Sequence, residues 1–429
     1  MSSIRLITHK SKTELNLFES NSLFIYNISS GKRNYRLLLP FIIPVDGLIE
    51  EMFEDPLYNE IIETKIFQRL FEIPFLGGLS YIKENNNVDT RGDHSIGVAL
   101  LSYYFCKKAN LRKNVERKYV SSALLHDIHH LPFSHTMEIA LRTQLPEFSL
   151  YKETEKILYV QKDNKGRSIS GILKKHGIDT SELSLFNQKE LRPLLFGCTH
   201  NADTLEGITR SNIFFNQVEN ISENLPIKVL NVILSKRFNS RASLKDLSVL
   251  DEFWILKNKT YRDGIYEARR VLYERILAFY LFELCLTNEL IENLVSYSDR
   301  DVFELFPDLK NKIKYLWHSI NDSCSVSTLA QSERYQEYYT SPQESVNQKI
   351  SKDILKLQIQ SRQFKINVRE LISSTNIPRG TDRYSVKPLI TIVDVHNNII
   401  KQAEKILEFD MLEDKFQYIA KEMDHFFLL

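Results

Sequence analysis

The chain is poor in glycine, with 13 in 429 residues. So few argue against Gly-rich phosphate-cradling loops and for a helical protein. Cysteine is scarcer still: Cys106, Cys198, Cys285 and Cys324 lie far apart, with no C-x-x-C. That pattern suits four unpaired thiols in a reducing cytoplasm better than a disulfide framework or a thiolate zinc site. Long apolar runs are missing too. "MSSIRLITHK" at the start does not read as a signal peptide. "RILAFYLFELCL" (Arg275–Leu286) contains Glu283 and is too short to span a bilayer, so it reads as a buried helix and no membrane partner is expected. Excess charge of one sign is absent, with a net charge of +1. Nothing global therefore draws the chain to nucleic acid, although a local basic patch remains open. The run Lys107–Lys118, rich in Lys and Arg, reads first as a solvated surface and second as a polyanion contact.

Against these absences, the pattern of apolar residues is mainly helical. Residues 1–45 read as extended, with "SLFIYNI" and "YRLLLPFIIPV" separated by the turn "SSGK". From Asp46 the spacing becomes helical, with Pro56 as a break or first-turn residue. In "HSIGVALLSYYFCKKA", His94, Val98, Leu101 and Phe105 share one helix face, with Asp93 as the N-cap. "RKYVSSALLHDI" forms another helix, which Pro132 should end near His130. Residues 260–298 are strongly helical, and 321–333 and 373–385 read as loops. "KPLITIVDV" reads as a strand, followed by a helix from about Asn398. The organisation expected is a β-containing N-terminal segment (1–45), a helical core (46–300) and a mixed α/β C-terminal lobe (301–429).

One segment is rich where the rest is ordinary. "LHDIHHLPFSH" (Leu125–His135) places four histidines and an aspartate within eleven residues. His126 and His130 are four apart, so both rings can share a helix face. Imidazole with carboxylate suits a divalent ion such as Mn, Fe, Co, Ni or Zn, whereas Mg prefers more oxygen. Adding His94 and Asp203 from other probable helices makes a set of two histidines and two carboxylates. Such a set leaves room for water and a substrate oxygen.

The order "PVDGLIE", "ETKIFQRL", "LGG", "RGDHSIGV", "LLHDIHHLPFSH" and "D-x-x-E-x-x-x-R" (Asp203–Arg210) resembles the HD-domain metal-dependent phosphohydrolases over residues 43–212. The closer resemblance is to their deoxynucleoside triphosphate triphosphohydrolase branch, which includes the dGTPases and the SAM-and-HD-domain proteins. It implies a mainly α HD-domain core, a divalent metal and a nucleotide substrate. It also implies a homo-oligomer. The metal ligands it implies are His94, His126, Asp127 and Asp203, with Asp127 also in the catalytic group. His130 and His135 would face the phosphates, Arg91 would clamp one, and Lys152, Glu206 and Arg210 would serve substrate binding. His129 stands at a usual glycine position and is read as non-catalytic.

Other positions depart from that family. Phe75 replaces a glutamine that reads the sugar, Lys152–Glu153 stands where a catalytic His–Glu pair is expected, and Glu206–Gly207 replaces Asp–Tyr. The residue after the closing arginine is Ser211 instead of aspartate. The resemblance therefore favours dNTP hydrolysis to deoxynucleoside and triphosphate. It leaves open a phosphodiesterase or hydrolase acting on a different nucleotide or nucleic acid, and a catalytically altered nucleotide-binding regulatory module.

Overall fold

Tyr35, Leu37 and Leu39 are buried while Arg36 is exposed, the two-residue period of a strand with one covered face. The computed structural model describes residues 5–6, 14–16, 23–30, 33–83, 89–145, 150–162, 166–183, 201–215, 222, 224–234, 244–288, 290–321, 327–332, 386–394, 397–408 and 418–428. Four strands, β1 (Arg5–Leu6), β2 (Glu14–Asn16), β3 (Phe24–Ser30) and β4 (Arg33–Leu39), form an antiparallel sheet in that order. β3 and β4 pair with Tyr26 opposite Leu37 and Ile28 opposite Tyr35. The extended reading of the N-terminal segment thus becomes a small sheet.

The rest is mainly helix. α1 (Leu48–Glu54), α2 (Pro56–Ile62) and α3 (Lys65–Gln68) are short. Pro56 opens α2, where its missing N–H costs nothing, and Asp55 caps it by accepting the Leu57 N–H at 3.0 Å. Then come α4 (Arg91–Lys108), α5 (Lys113–Leu125), α6 (His135–Gln144), α7 (Leu150–Tyr159) and α8 (Ile169–Lys175). They are followed by α9 (Ala202–Phe215), α10 (Leu225–Leu234), α11 (Leu244–Lys259) and α12 (Ala268–Thr287). α13 (Asp299–Leu305), α14 (Leu309–Asn321), β5 (Ser327–Ser332), β6 (Val386–Asp394), α15 (Asn397–Leu407) and β7 (Tyr418–Leu428) complete the order.

Backbone contacts divide the chain into two units. The first comprises 1–236 and 289–305; its centre is α4, buried nearly all round and packed against α5, α9 and β4. The second comprises 237–288 and 306–429. In it, α12 buries Val271, Leu272, Ile276, Leu277 and Leu281 and packs on the antiparallel sheet β5–β6–β7. The expected strand at 387–395 and the helix after it are β6 and α15. The loop expected at 321–333 is a strand over Ser327–Ser332 instead. "STLAQS" has weak intrinsic strand character, and pairing with β6 supplies the order. The loop expected at 373–385, and Cys198 and Cys324, lie outside the described residues.

The basic run is largely paired. Lys113 meets Asp55 and Glu116, Arg117 meets Asp55, and Lys118 meets Glu182. Among the described residues, no helix is long and apolar enough to cross a membrane.

Candidate metal centre

The N-cap of α4 is Thr90, three residues before the expected Asp93. Thr90 accepts the Asp93 N–H, and the Asp93 carboxylate takes the Thr90 N–H in return. The other Asp93 oxygen accepts the Leu38 N–H at 3.0 Å, tying β4 to this helix start. His94 therefore lies in the first turn of α4, buried. α5 stops at Leu125, earlier than Pro132 alone would require, and His126 is its C-cap. Beyond the helix end, the Arg69 guanidinium donates to the carbonyls of Ile128 at 2.9 Å and His130 at 2.8 Å. Pro132 has no N–H to offer the Ile128 carbonyl, so Arg69 pairs an oxygen that a helix could not satisfy, in the turn that carries His126 and Asp127.

Four side chains converge there. The Nε2 atoms of His94 and His126 are 3.2 Å apart. Asp127 Oδ1 is 3.2 Å from His126 Nε2, and Asp203 Oδ1, from the first turn of α9, is 3.2 Å from His94 Nε2. The protons can be assigned. His126 Nδ1 donates to the Ala123 carbonyl at 2.7 Å, and His94 Nδ1 donates to Glu206. Each Nδ1 is thus engaged on its far side, so both Nε2 atoms and the two carboxylates face one point, and the donor set fits a divalent metal once the second proton of His94 is displaced. His94, His126 and Asp127 form one of the metal-competent groups among the described residues. Two imidazoles with two carboxylates suit Mn, Fe, Co, Ni or Zn.

The field around the cluster is strong. Burial opposes ionisation of Asp127, but His126, His130 and Arg91 outweigh it and hold the carboxyl well below its usual range. Burial likewise opposes charge on Asp203, yet the His94 hydrogen bond and the charge of His126 bring it to about 2. Burial disfavours a charged His94 ring, and Glu206, Asp203 and Asp127 overcome this, raising it to about 9. A metal bound here must displace that proton.

Glu206 is fully buried behind His94 and is held by Arg210, whose Nε donates to its two oxygens at 3.0 and 3.2 Å. Arg210 also donates to the Leu38 carbonyl at 2.8 Å and lies 3.6 Å from Asp89. Burial pushes the Asp89 carboxyl up to about 7, against the pull of Arg210. Gly97 makes room for this arrangement: a Cβ there would lie 2.5 Å from Glu206 Oε1. Glu206 and Arg210 thus stand behind His94, out of solvent.

His130 Nε2 lies 3.2 Å from Asp127 Oδ1, and its Nδ1 lies 2.8 Å from Glu138 Oε1. Glu138 Oε2 is 3.3 Å from Nδ1 of the half-exposed His135. Between these histidines Phe133 and Ser134 have φ of 58° and 49°, a left-handed backbone unusual for such residues. Buried Asp299 holds the bend by accepting the Phe133 N–H at 2.7 Å, and Tyr81 donates to its other oxygen at 2.7 Å. Gly77 (φ +56°) passes close by, where a Cβ would fall 2.2 Å from the Phe133 carbonyl oxygen.

Arg91 is buried and donates to Asp127 Oδ2 at 2.8 Å, at the edge of the cluster. Phe75 lies against it, with its ring 4.8 Å from the Arg91 guanidinium and 4.7 Å from the His94 ring. Lys152 is exposed on α7. Sequence reasoning did not single out Glu138, Asp89, Asp299 or the role of Arg69. Only Arg69 lay within a quoted motif, and Glu138 lies three residues after His135 on a helix, the one spacing that could have marked it.

Residues 91–207 match the HD domain family model, an interval that contains all four converging side chains. The uncharacterized protein MJ1154 of Methanocaldococcus jannaschii is 38% identical over 94 residues, 22% of this chain and 20% of that one. The uncharacterized protein YdhJ of Bacillus subtilis is 33% identical over 139 residues, 32% of this chain and 35% of that one. The uncharacterized MG461 homolog of Mycoplasma pneumoniae is 26% identical over 240 residues, 52% of this chain and 55% of that one. The matches thus span between 20% and 55% of these relatives' lengths. A hypothetical protein from Aquifex aeolicus with a crystal structure aligns at 20% identity and a TM-score of 0.47, covering 66% of this chain and 78% of that one.

Proposed function

We propose that the chain hydrolyses nucleotides in a metal-dependent reaction, with a deoxynucleoside triphosphate yielding deoxynucleoside and triphosphate as the favoured case. The observation that carries this reading is the convergence of His94, His126, Asp127 and Asp203, with the two imidazole Nε2 atoms 3.2 Å apart. These four would hold the ion, which supplies charge stabilisation at a phosphoryl oxygen. Arg91 brings a planar cation to the same edge and suits a phosphate oxygen once it shares or leaves Asp127. His135, half-exposed and backed by Glu138, is placed to hold or pass a proton at Nε2. The nucleotide partner and the homo-oligomer belong to the same proposal and rest on the resemblance.

A second reading has its own observation. A Cβ at Gly207 would sit 3.3 Å from Phe75 Cζ, so the Phe75 ring fills the room where the resembled family carries an aromatic. Phe75 offers no hydrogen bond to a sugar hydroxyl. This favours a different nucleotide or phosphodiester as substrate. Incubating the protein with Mn²⁺ and a panel of deoxy-, ribo- and cyclic nucleotides, with the products separated, decides between them. Triphosphate released from a dNTP supports the first reading, and turnover confined to another nucleotide supports the second. Tight nucleotide binding without any turnover would reject both in favour of a binding module.

A further inference from the structure

Beyond the four-ligand cluster, a second set of donors meets on the loop that follows it. His129, His130 and Glu138 each offer one ligand atom, all within 4.8 Å of one another. We propose that these three residues hold a second divalent transition-metal ion, joined to the first centre through the His130 ring. The inference does not depend on which phosphate ester is cleaved.

Three features carry it. His130 lies between two carboxylates: its Nε2 is 3.2 Å from Asp127, and its Nδ1 is 2.8 Å from Glu138. An imidazole nitrogen and a carboxylate oxygen at that separation share a cation between them. A proton can fill the role, and so can a metal ion. Ser134 Oγ, 3.2 Å from the same Nδ1, is a further polar neighbour.

His129 separates the two cases. Its ring stacks on His130 with centroids 5.2 Å apart and planes 24° apart. Its Nδ1 is buried and has no hydrogen-bond partner among the described residues. A proton shared by His130 and Glu138 leaves that buried nitrogen unsatisfied. An ion on the three donors satisfies it.

Glu138 is oriented for the task. It is buried, and its second oxygen lies 3.3 Å from His135 Nδ1, which fixes the plane of the carboxylate as outer partners do for metal ligands. Two imidazoles and one carboxylate form a three-ligand set that leaves positions for water or substrate, and they favour Zn, Mn, Fe, Co or Ni over Ca or Mg.

The test is a count of ions. The full-length protein is stripped with chelator, equilibrated with Mn²⁺, freed of loose metal and analysed for Mn per chain. Two ions are expected in the wild type. One is expected in His129→Gly, in Glu138→Gln and, through loss of the other centre, in His94→Ala. One ion in the wild type overturns the inference, as do two ions in a folded His129→Gly or Glu138→Gln. Loss of both ions in either of those two variants overturns it as well, because the residues would then be supporting the first centre. Should His129→Gly fail to fold, the wild-type count and Glu138→Gln decide. A chain that holds two ions yet turns over no nucleotide keeps this inference and rejects the proposed function; one ion with turnover does the reverse.

Discussion

His94 is held in place from behind. Its Nδ1 proton goes to Glu206, Glu206 is gripped by Arg210, and Arg210 reaches the Leu38 carbonyl and Asp89. The chain of contacts fixes the tautomer that leaves Nε2 free for metal. Glu206→Gln keeps the size but gives up the charge on which both His94 and Arg210 rely. Metal affinity measured by calorimetry should fall about 10–100-fold, while a fully retained affinity would show that Glu206 does not set the ligand. Gly97→Ala probes the same contact from the other side, because its Cβ would lie 2.5 Å from Glu206 Oε1. The same loss of affinity is expected, and an unchanged one would mean that Glu206 can move without disturbing His94.

At the scale of elements, the segment from His126 to His135 is held from outside. Arg69 takes the carbonyls of Ile128, His130 and Tyr297, and Asp299 takes the Phe133 N–H. Removing the guanidinium in Arg69→Met strands three carbonyls, and urea unfolding should show a loss on the order of 3 kcal/mol. A loss near zero would mean that water replaces Arg69 freely. Asp299 adds a dependence on pH. Burial raises its carboxyl to about 7, against the Phe133 N–H, Tyr81 and Arg69, which favour the charged form. Because the folded value lies above the unfolded one of about 4, its contribution is fully present below about pH 4 and is lost as pH rises to about 7. Asp299→Asn does not ionise. The stability of this variant relative to wild type should therefore climb between about pH 4 and 7 and then level off. A difference that stays flat across that range would contradict the raised value.

Across the whole molecule, legibility followed chain distance. The four converging side chains could be grouped from sequence because three of them sit in contiguous motifs and the fourth opens a helix of matching pattern. The extended N-terminal segment, the buried helix around Arg275–Leu286, β6 and α15 were also readable, since each rests on local periodicity. What escaped acts over long separations through the backbone. Arg69 reaches Ile128 and His130, and Asp299 reaches Phe133, by bonds that leave no spacing to read. β5 escaped because its order comes from its partner strand, and His129 was set aside because one residue type at one position says little about a neighbour folded against it.

The central claim is that His94, His126, Asp127 and Asp203 bind a divalent ion used to hydrolyse a nucleotide phosphate ester. The most direct measurement incubates wild type and Asp127→Asn side by side with the nucleotide panel and Mn²⁺, with bound metal determined on the same samples. The result expected is turnover of at least one nucleotide by the metal-loaded wild type, with metal content and turnover both lost in Asp127→Asn. Turnover that persists in Asp127→Asn, or survives complete removal of metal from the wild type, would contradict the account.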